Sequence, residues 1–99
     1  MNQINKEKLH TIFTNLKQSN QNFEEFYKNY YNLVYKISFC IIKNKEQAED
    51  ISQNVFIKIY NMPKEKIPTE GEASWLYTVT KNETINYIKA QKNEDKLFF

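Results

Sequence analysis

An all-α fold, three main helices preceded by a short N-terminal one, is what this sequence predicts, and three observations carry the prediction. Only one Gly and two Pro stand among the 99 residues, and Gly71, Pro63 and Pro68 fall in one stretch, so little interrupts long helices elsewhere. Apolar residues recur at steps of three and four along four separate stretches, which is the period of one helix face. Residues that favour helix starts, Asn5, Asn22 and Thr69, stand at the openings of three of these stretches.

The first helix is expected from Lys6 to Lys17, capped by Asn5, with Leu9, Ile12, Phe13 and Leu16 on one face. The polar run Ser19–Asn22 breaks it. His10 lies off the apolar stripe and reads as a surface residue, because no second His and no clustered Cys could complete a metal site.

Asn22 and Glu25 have capping-box spacing, so the second helix opens there. Phe23, Phe26, Tyr27, Tyr30, Tyr31, Val34, Ile37 and Ile41 then follow helical spacing, and the aromatic stripe reads as core. From Ile37 to Ile42 the helix is apolar nearly all round, which predicts the centre of the domain, with Cys40 as a small buried hydrophobe. Lys43, Asn44 and Lys45 end it. The next helix follows almost at once, so the two are expected to pack as an antiparallel hairpin.

That third helix, Lys45 to Met62, is the stretch around which the chain is organised. Ala48, Ile51, Val55, Ile59 and Met62 make its apolar face. Asp50, Gln53, Asn54 and Ile57 fall on the other side, with Phe56 and Tyr60 at the margins. A carboxylate, two amides and large apolar groups suit a protein-binding surface. An ordinary wet back with scattered apolar residues fits the periodicity equally well.

The loop Pro63–Gly71 is longer than a helix–helix connection needs, and long loops often carry function. Thr69 and Glu72 give another capping-box spacing, so the last helix is expected to start near Gly71–Ala73 and to run to about Lys92. Trp75, Leu76, Val79 and Ala90 cluster on one side of it, and Lys81, Ile85, Lys89 and Lys92 line up on another, flanked by Thr78 and Asn82. Such a lysine row tracks a nucleic-acid backbone or is simply a solvated face.

Composition excludes several function classes. No apolar run approaches the roughly 20 residues of a membrane span. The N-terminus MNQINKEK lacks the apolar segment of a signal peptide, and the single Cys offers no disulfide framework, so a cytoplasmic protein is expected. All 14 basic residues are Lys, the net charge is +2, and neither decides for or against nucleic acid. One glycine cannot build a phosphate-cradling loop. The acidic pairs Glu24–Glu25 and Glu49–Asp50 are sequence neighbours whose side chains diverge by about 100° on a helix. No enzyme, cofactor or metal is therefore implied.

Three blocks occur in order: FEEFYKNYYNLVYKISFCII, AEDISQNVFIKIY and WLYTVTKNETINYIKAQKN. Together, over roughly residues 23–92, they resemble the second conserved domain of bacterial RNA polymerase sigma factors, especially the small extracytoplasmic-function (ECF) type. The resemblance implies a sigma domain-two bundle over residues 22–92, with an N-terminal extension (1–21) and a tail (93–99). It implies that the chain binds core RNA polymerase through the clamp helices of the largest subunit, and recognises and helps melt the minus-ten promoter element, partly as single-stranded DNA. Polymerase contact is then expected from Asp50, Gln53, Asn54, Phe56, Ile57 and Tyr60. DNA contact is expected from Trp75, Tyr77, Thr78, Lys81, Asn82, Ile85, Lys89 and Lys92. A base flipped from the stack would be captured by the loop, with Ile67, Thr69 and Glu70 placed there by position.

Lys89 stands where the family often has Arg, and Asn86 where it commonly has Asp, so promoter preference does not carry over. Nothing after Lys92 can encode the family's second DNA-binding domain, a helix-turn-helix. Two other readings remain from sequence: an interaction module or truncated decoy held by an anti-sigma protein, and a helical bundle with no nucleic-acid role.

Overall fold

The computed structural model describes residues 5–97, with side chains through Lys92. Four α-helices follow in order: α1 (Lys6–Gln18), α2 (Phe23–Ile42), α3 (Lys45–Asn61) and α4 (Glu72–Leu97). Short 3-10 turns cover Asn20–Asn22 and Lys64–Lys66.

The Asn5 side chain accepts the Lys8 amide at 3.0 Å and caps α1 as expected. Ser19 then takes the Gln21 amide at 3.1 Å and opens the first 3-10 turn. The expected capping box at Asn22 does not form. Asn22 closes that turn (φ −92°, ψ 4°), makes no side-chain cap, and donates its side-chain Nδ2 to the Asn15 carbonyl at 2.8 Å. It therefore ties α2 to α1, because the preceding turn leaves it outside the extended geometry that an N-cap needs.

Lys43 ends α2 in the left-handed region (φ 57°), and its amide bonds the Phe39 carbonyl at 2.8 Å. Asn44 caps α3 by accepting the Gln47 amide at 2.9 Å. With two residues between them, α2 and α3 fold back antiparallel, so Phe23 at the start of α2 meets Tyr60 near the end of α3, ring centroids 5.1 Å apart.

The core gathers Leu9, Ile12, Phe13 and Leu16 of α1, Phe26, Tyr30 and Val34 of α2, Ile51, Val55, Phe56 and Ile59 of α3, and Leu76 of α4. Phe13 meets Phe26 edge-to-face at 5.3 Å, and Phe26 meets Phe56 at 5.4 Å. Edge-to-face pairs add about 0.5–1.5 kcal/mol beyond area burial.

Three expectations are corrected here. The segment Ile37–Ile42 is not the centre of the domain. Only Ser38 is buried there, Phe39 and Ile41 are each 37% exposed, and Cys40 is exposed. The described partners pack against one side of α2 along Phe26, Tyr30, Val34 and Ser38, and its other side stays open. On α4 the buried line is Leu76, Thr80 and Thr84, whereas Ala90 is exposed. The threonines can be buried because each hydroxyl donates to the carbonyl four residues back, at 2.8 and 2.7 Å. Finally, α4 continues to Leu97 rather than stopping near Lys92, since Asn93–Leu97 contain no Gly or Pro; Phe98 and Phe99 lie outside the described residues.

Glu72 is the first residue of α4, not the third, so the Thr69–Glu72 capping box is also replaced. Gly71 takes φ 65°, and its carbonyl receives the Trp75 amide at 3.0 Å. Only glycine holds that backbone without strain. Among the described residues no helix is long and apolar enough to cross a membrane.

Truncating Phe26→Ala should lower stability by about 3–5 kcal/mol, read by urea denaturation, because the ring is fully buried among Phe13, Tyr30 and Phe56. Cys40 should react stoichiometrically with a thiol reagent in the folded protein, at a rate within a few-fold of that in denaturant. Protection by several orders of magnitude would contradict its exposure.

Candidate functional site

The outer face of α3 is built by what its inner face does. Ala48, Ile51, Val55 and Ile59 are fully buried, which fixes the rotation of the helix. Asp50, Gln53, Asn54, Ile57 and Tyr60 are then exposed along one side, with Ile57 at 57% and Tyr60 at 47%. Two apolar side chains left in water beside a carboxylate and two amides form a surface suited to a protein partner.

Phe56 does not belong to that surface. It is 2% exposed, with Phe23, Phe26, Tyr27 and Tyr31 around it at centroid distances of 4.8–6.2 Å. Its role is to support the face from below. Tyr31, stacked on Phe56, has its hydroxyl pKa pushed up by burial first, and then by Tyr27, Glu49 and Tyr35.

On α4, Tyr77, Thr78, Lys81, Asn82, Lys89 and Lys92 are all exposed, and Ile85 is half-buried among them. The lysine row is thus a solvent-facing strip at least three turns long. Trp75 is half-buried, edge-on to Phe13 at 5.7 Å and 88°. It presents part of its indole and anchors the rest. The helix is held in register by a buried Thr84–Ser38 hydroxyl bond (3.3 Å), a Gln47–Gln91 bond (3.2 Å) and a Lys58–Glu83 ion pair (3.7 Å).

The loop separates the three residues assigned to it. Ile67 is 1% exposed and packs in the core, so it is corrected from a surface position to an anchor. Thr69 and Glu70 are exposed. Lys17 and Asn20 grip the loop from the side: the Lys17 ammonium donates to the carbonyls of Lys64 and Ile67, and the Lys64 ammonium donates to the Asn20 side chain. His10 Nδ1 lies 2.6 Å from a Glu72 carboxylate oxygen.

Sequence reasoning missed one surface feature. Leu33, Ile37, Phe39, Cys40 and Ile41 of α2 form, with Tyr77 of α4, an apolar groove of about 460 Å³. The signal was the all-round apolar character of Ile37–Ile42, which reads as burial unless the number of covering helices is known. Among the described residues no group of three His, Cys, Asp or Glu could hold a metal ion.

Comparison with known proteins identifies the family of the chain. The family described as Sigma-70 region 2 matches residues 26–94. The chain is 26% identical over 72 residues to the ECF RNA polymerase sigma factor SigX of Bacillus subtilis (strain 168), covering 73% of this chain and 37% of that protein. It is 31% identical over 71 residues to the ECF RNA polymerase sigma factor SigM of the same organism, covering 72% of this chain and 43% of that protein. The chain thus aligns with less than half the length of these curated relatives. No solved structure matches it. A helical bundle, three sequence blocks in order and a family match over most of its length place this chain in the Sigma-70 region 2 family, as a domain two of the ECF type.

Proposed function

We propose that this chain docks on core RNA polymerase through the outer face of α3 and presents α4 and the preceding loop to the minus-ten promoter element, helping to hold it melted during transcription initiation. The observation that carries the reading is the row Asp50, Gln53, Asn54, Ile57 and Tyr60, exposed together on a helix whose other side is fully committed to the core. The second block of the family binds the clamp helices of the polymerase largest subunit, and this row lies in that block. Asp50, Gln53 and Asn54 offer hydrogen-bonding groups, while Ile57 and Tyr60 supply apolar area that a partner would desolvate.

The DNA half of the proposal is supported by the exposed lysines. Lys81, Lys89 and Lys92 on one strip can neutralise successive phosphates, and Tyr77 and the free part of Trp75 can stack on unpaired bases. Thr78 and Asn82 on the same side offer hydrogen-bonding groups to base edges or sugar. Thr69 and Glu70 are the loop residues available to a flipped base, a few kcal/mol of unstacking being offset by pocket contacts. The chain acts by binding and is not itself a catalyst.

The test is binding to the isolated clamp helices. Wild-type protein should bind saturably, and Asp50→Ala/Gln53→Ala should lose about tenfold or more in affinity with helicity unchanged. Folded wild type that binds no clamp helix would remove the docking assignment and favour an interaction module held by another regulator. For the DNA face, Lys81→Ala and Lys89→Ala should each weaken binding of single-stranded minus-ten DNA and flatten the salt dependence, by about 0.7 in log–log slope per lysine. An unchanged slope would return the lysine strip to an ordinary solvated face.

A further inference from the structure

We infer that Lys17 is a positioning residue: from α1, outside the part of the chain that the family matches, it fixes the loop 63–71 and thereby the presentation of Thr69 and Glu70. The inference rests on the reading of that loop given above for its consequence in DNA binding, but its structural half stands alone.

The geometry is specific. The Lys17 ammonium sits 2.8 Å from the Lys64 carbonyl and 2.7 Å from the Ile67 carbonyl, across 47 and 50 residues of chain. A surface lysine ordinarily points into water or pairs with a carboxylate. Here two main-chain oxygens converge on one half-buried ammonium, using two of its three donors. The Ile67 side chain is itself buried in the core. Residues 64–67 are therefore held twice, by an apolar anchor in the core and by a charged clasp on the main chain. The Lys64 ammonium adds a third tie to the Asn20 side chain, just beyond α1.

The far end of the loop is held from α1 as well. His10 reaches the Glu72 carboxylate at the first residue of α4, and Phe13 meets Trp75 edge-on. Between these two attachments only residues 68–71 are left to shape themselves. Thr69 and Glu70, both exposed, lie in that short span. Without the clasp, the Lys64 and Ile67 carbonyls lose their ammonium, and this stretch keeps the 3-10 bonds of the Lys66 and Ile67 amides to Pro63 and Lys64, at 2.9 and 3.1 Å, the buried Ile67 side chain and the Lys64–Asn20 tie. The loop would then sample other shapes, and any surface it offers to a base would be populated for less of the time.

The experiment uses Lys17→Met, which keeps the aliphatic stem and removes the donors. Amide hydrogen exchange at Lys66 and Ile67 should accelerate about tenfold or more, while Val55 and Ile59 in the core of α3 stay within two-fold of wild type. Affinity for single-stranded minus-ten DNA should fall several-fold with the wild-type salt slope, because no phosphate contact is removed, and clamp-helix binding should not change. If Lys17→Met disturbs α3 exchange as well, Asn20→Ala serves in its place, with a smaller acceleration confined to the same two amides. Exchange at Lys66 and Ile67 that stays at the wild-type rate in both variants overturns the clasp. Faster loop exchange with undiminished DNA affinity overturns the positioning role. Wild-type protein that binds no single-stranded DNA instead overturns the proposed DNA function, and loop exchange alone then decides whether Lys17 fixes the loop.

Discussion

The rest of the structure depends on Phe56 facing inward. Its ring sits among Phe23, Phe26, Tyr27 and Tyr31, so α2 and α3 share one aromatic cluster near the open end of their hairpin. A large side chain caged from several directions fixes the rotation of its helix far more firmly than an aliphatic stripe does, because turning α3 by one residue would expel the ring into water and leave a cavity. With that rotation fixed, Asp50, Gln53, Asn54, Ile57 and Tyr60 have only one direction to face. The surface proposed for polymerase is a consequence of the core beneath it.

The attachment of α4 uses different means. Its buried line is Leu76, Thr80 and Thr84, and two of these three are hydroxyl residues. Each threonine satisfies its hydroxyl on its own helix, and Thr84 reaches Ser38 of α2. Small polar residues allow close approach of α2 and α4 without a deep apolar seam, and the hydrogen bonds make one register better than its neighbours. The Lys58–Glu83 pair is partly exposed and contributes at most about 1 kcal/mol. Its value is in orientation: it keeps Glu83 turned toward α3, away from the side where Lys81, Lys89 and Lys92 stand in solvent.

α1 joins these parts. Leu9, Ile12, Phe13 and Leu16 are buried with the main helices, and the same helix contributes the groups that hold the loop and the start of α4. An N-terminal helix that lies before the family match is thus part of the same core as the surfaces the family match covers. That continuity explains why a loop with two prolines and an αL glycine has a defined course: its ends are pinned, one by Ile67 and Lys17, the other by Glu72 and His10.

Much of this was legible in the chain itself. Helical period and breaker positions determined four helices, the Asn5 start, the break at Asn44, the α2–α3 hairpin and the inner face of α3, since each of these is decided by residues within a few positions of one another. The ordered blocks determined the family. What the sequence could not decide was how many neighbours each face has. The apolar run Ile37–Ile42 reads as the centre of a domain, and only the packing shows that α2 is covered on one side there. Phe56 stands at the margin of the α3 stripe and Ile67 lies in a loop, so neither position by itself signals burial; the rings and aliphatic groups that enclose them come from elsewhere in the chain. The capping boxes at Asn22 and Thr69 failed for a related reason: a tie to α1 claimed the Asn22 side chain, and Gly71 set the start of α4 beyond Thr69. Local pattern fixes which residues make a helix and where it turns; burial is a sum over distant partners, and only the tertiary structure supplies that sum.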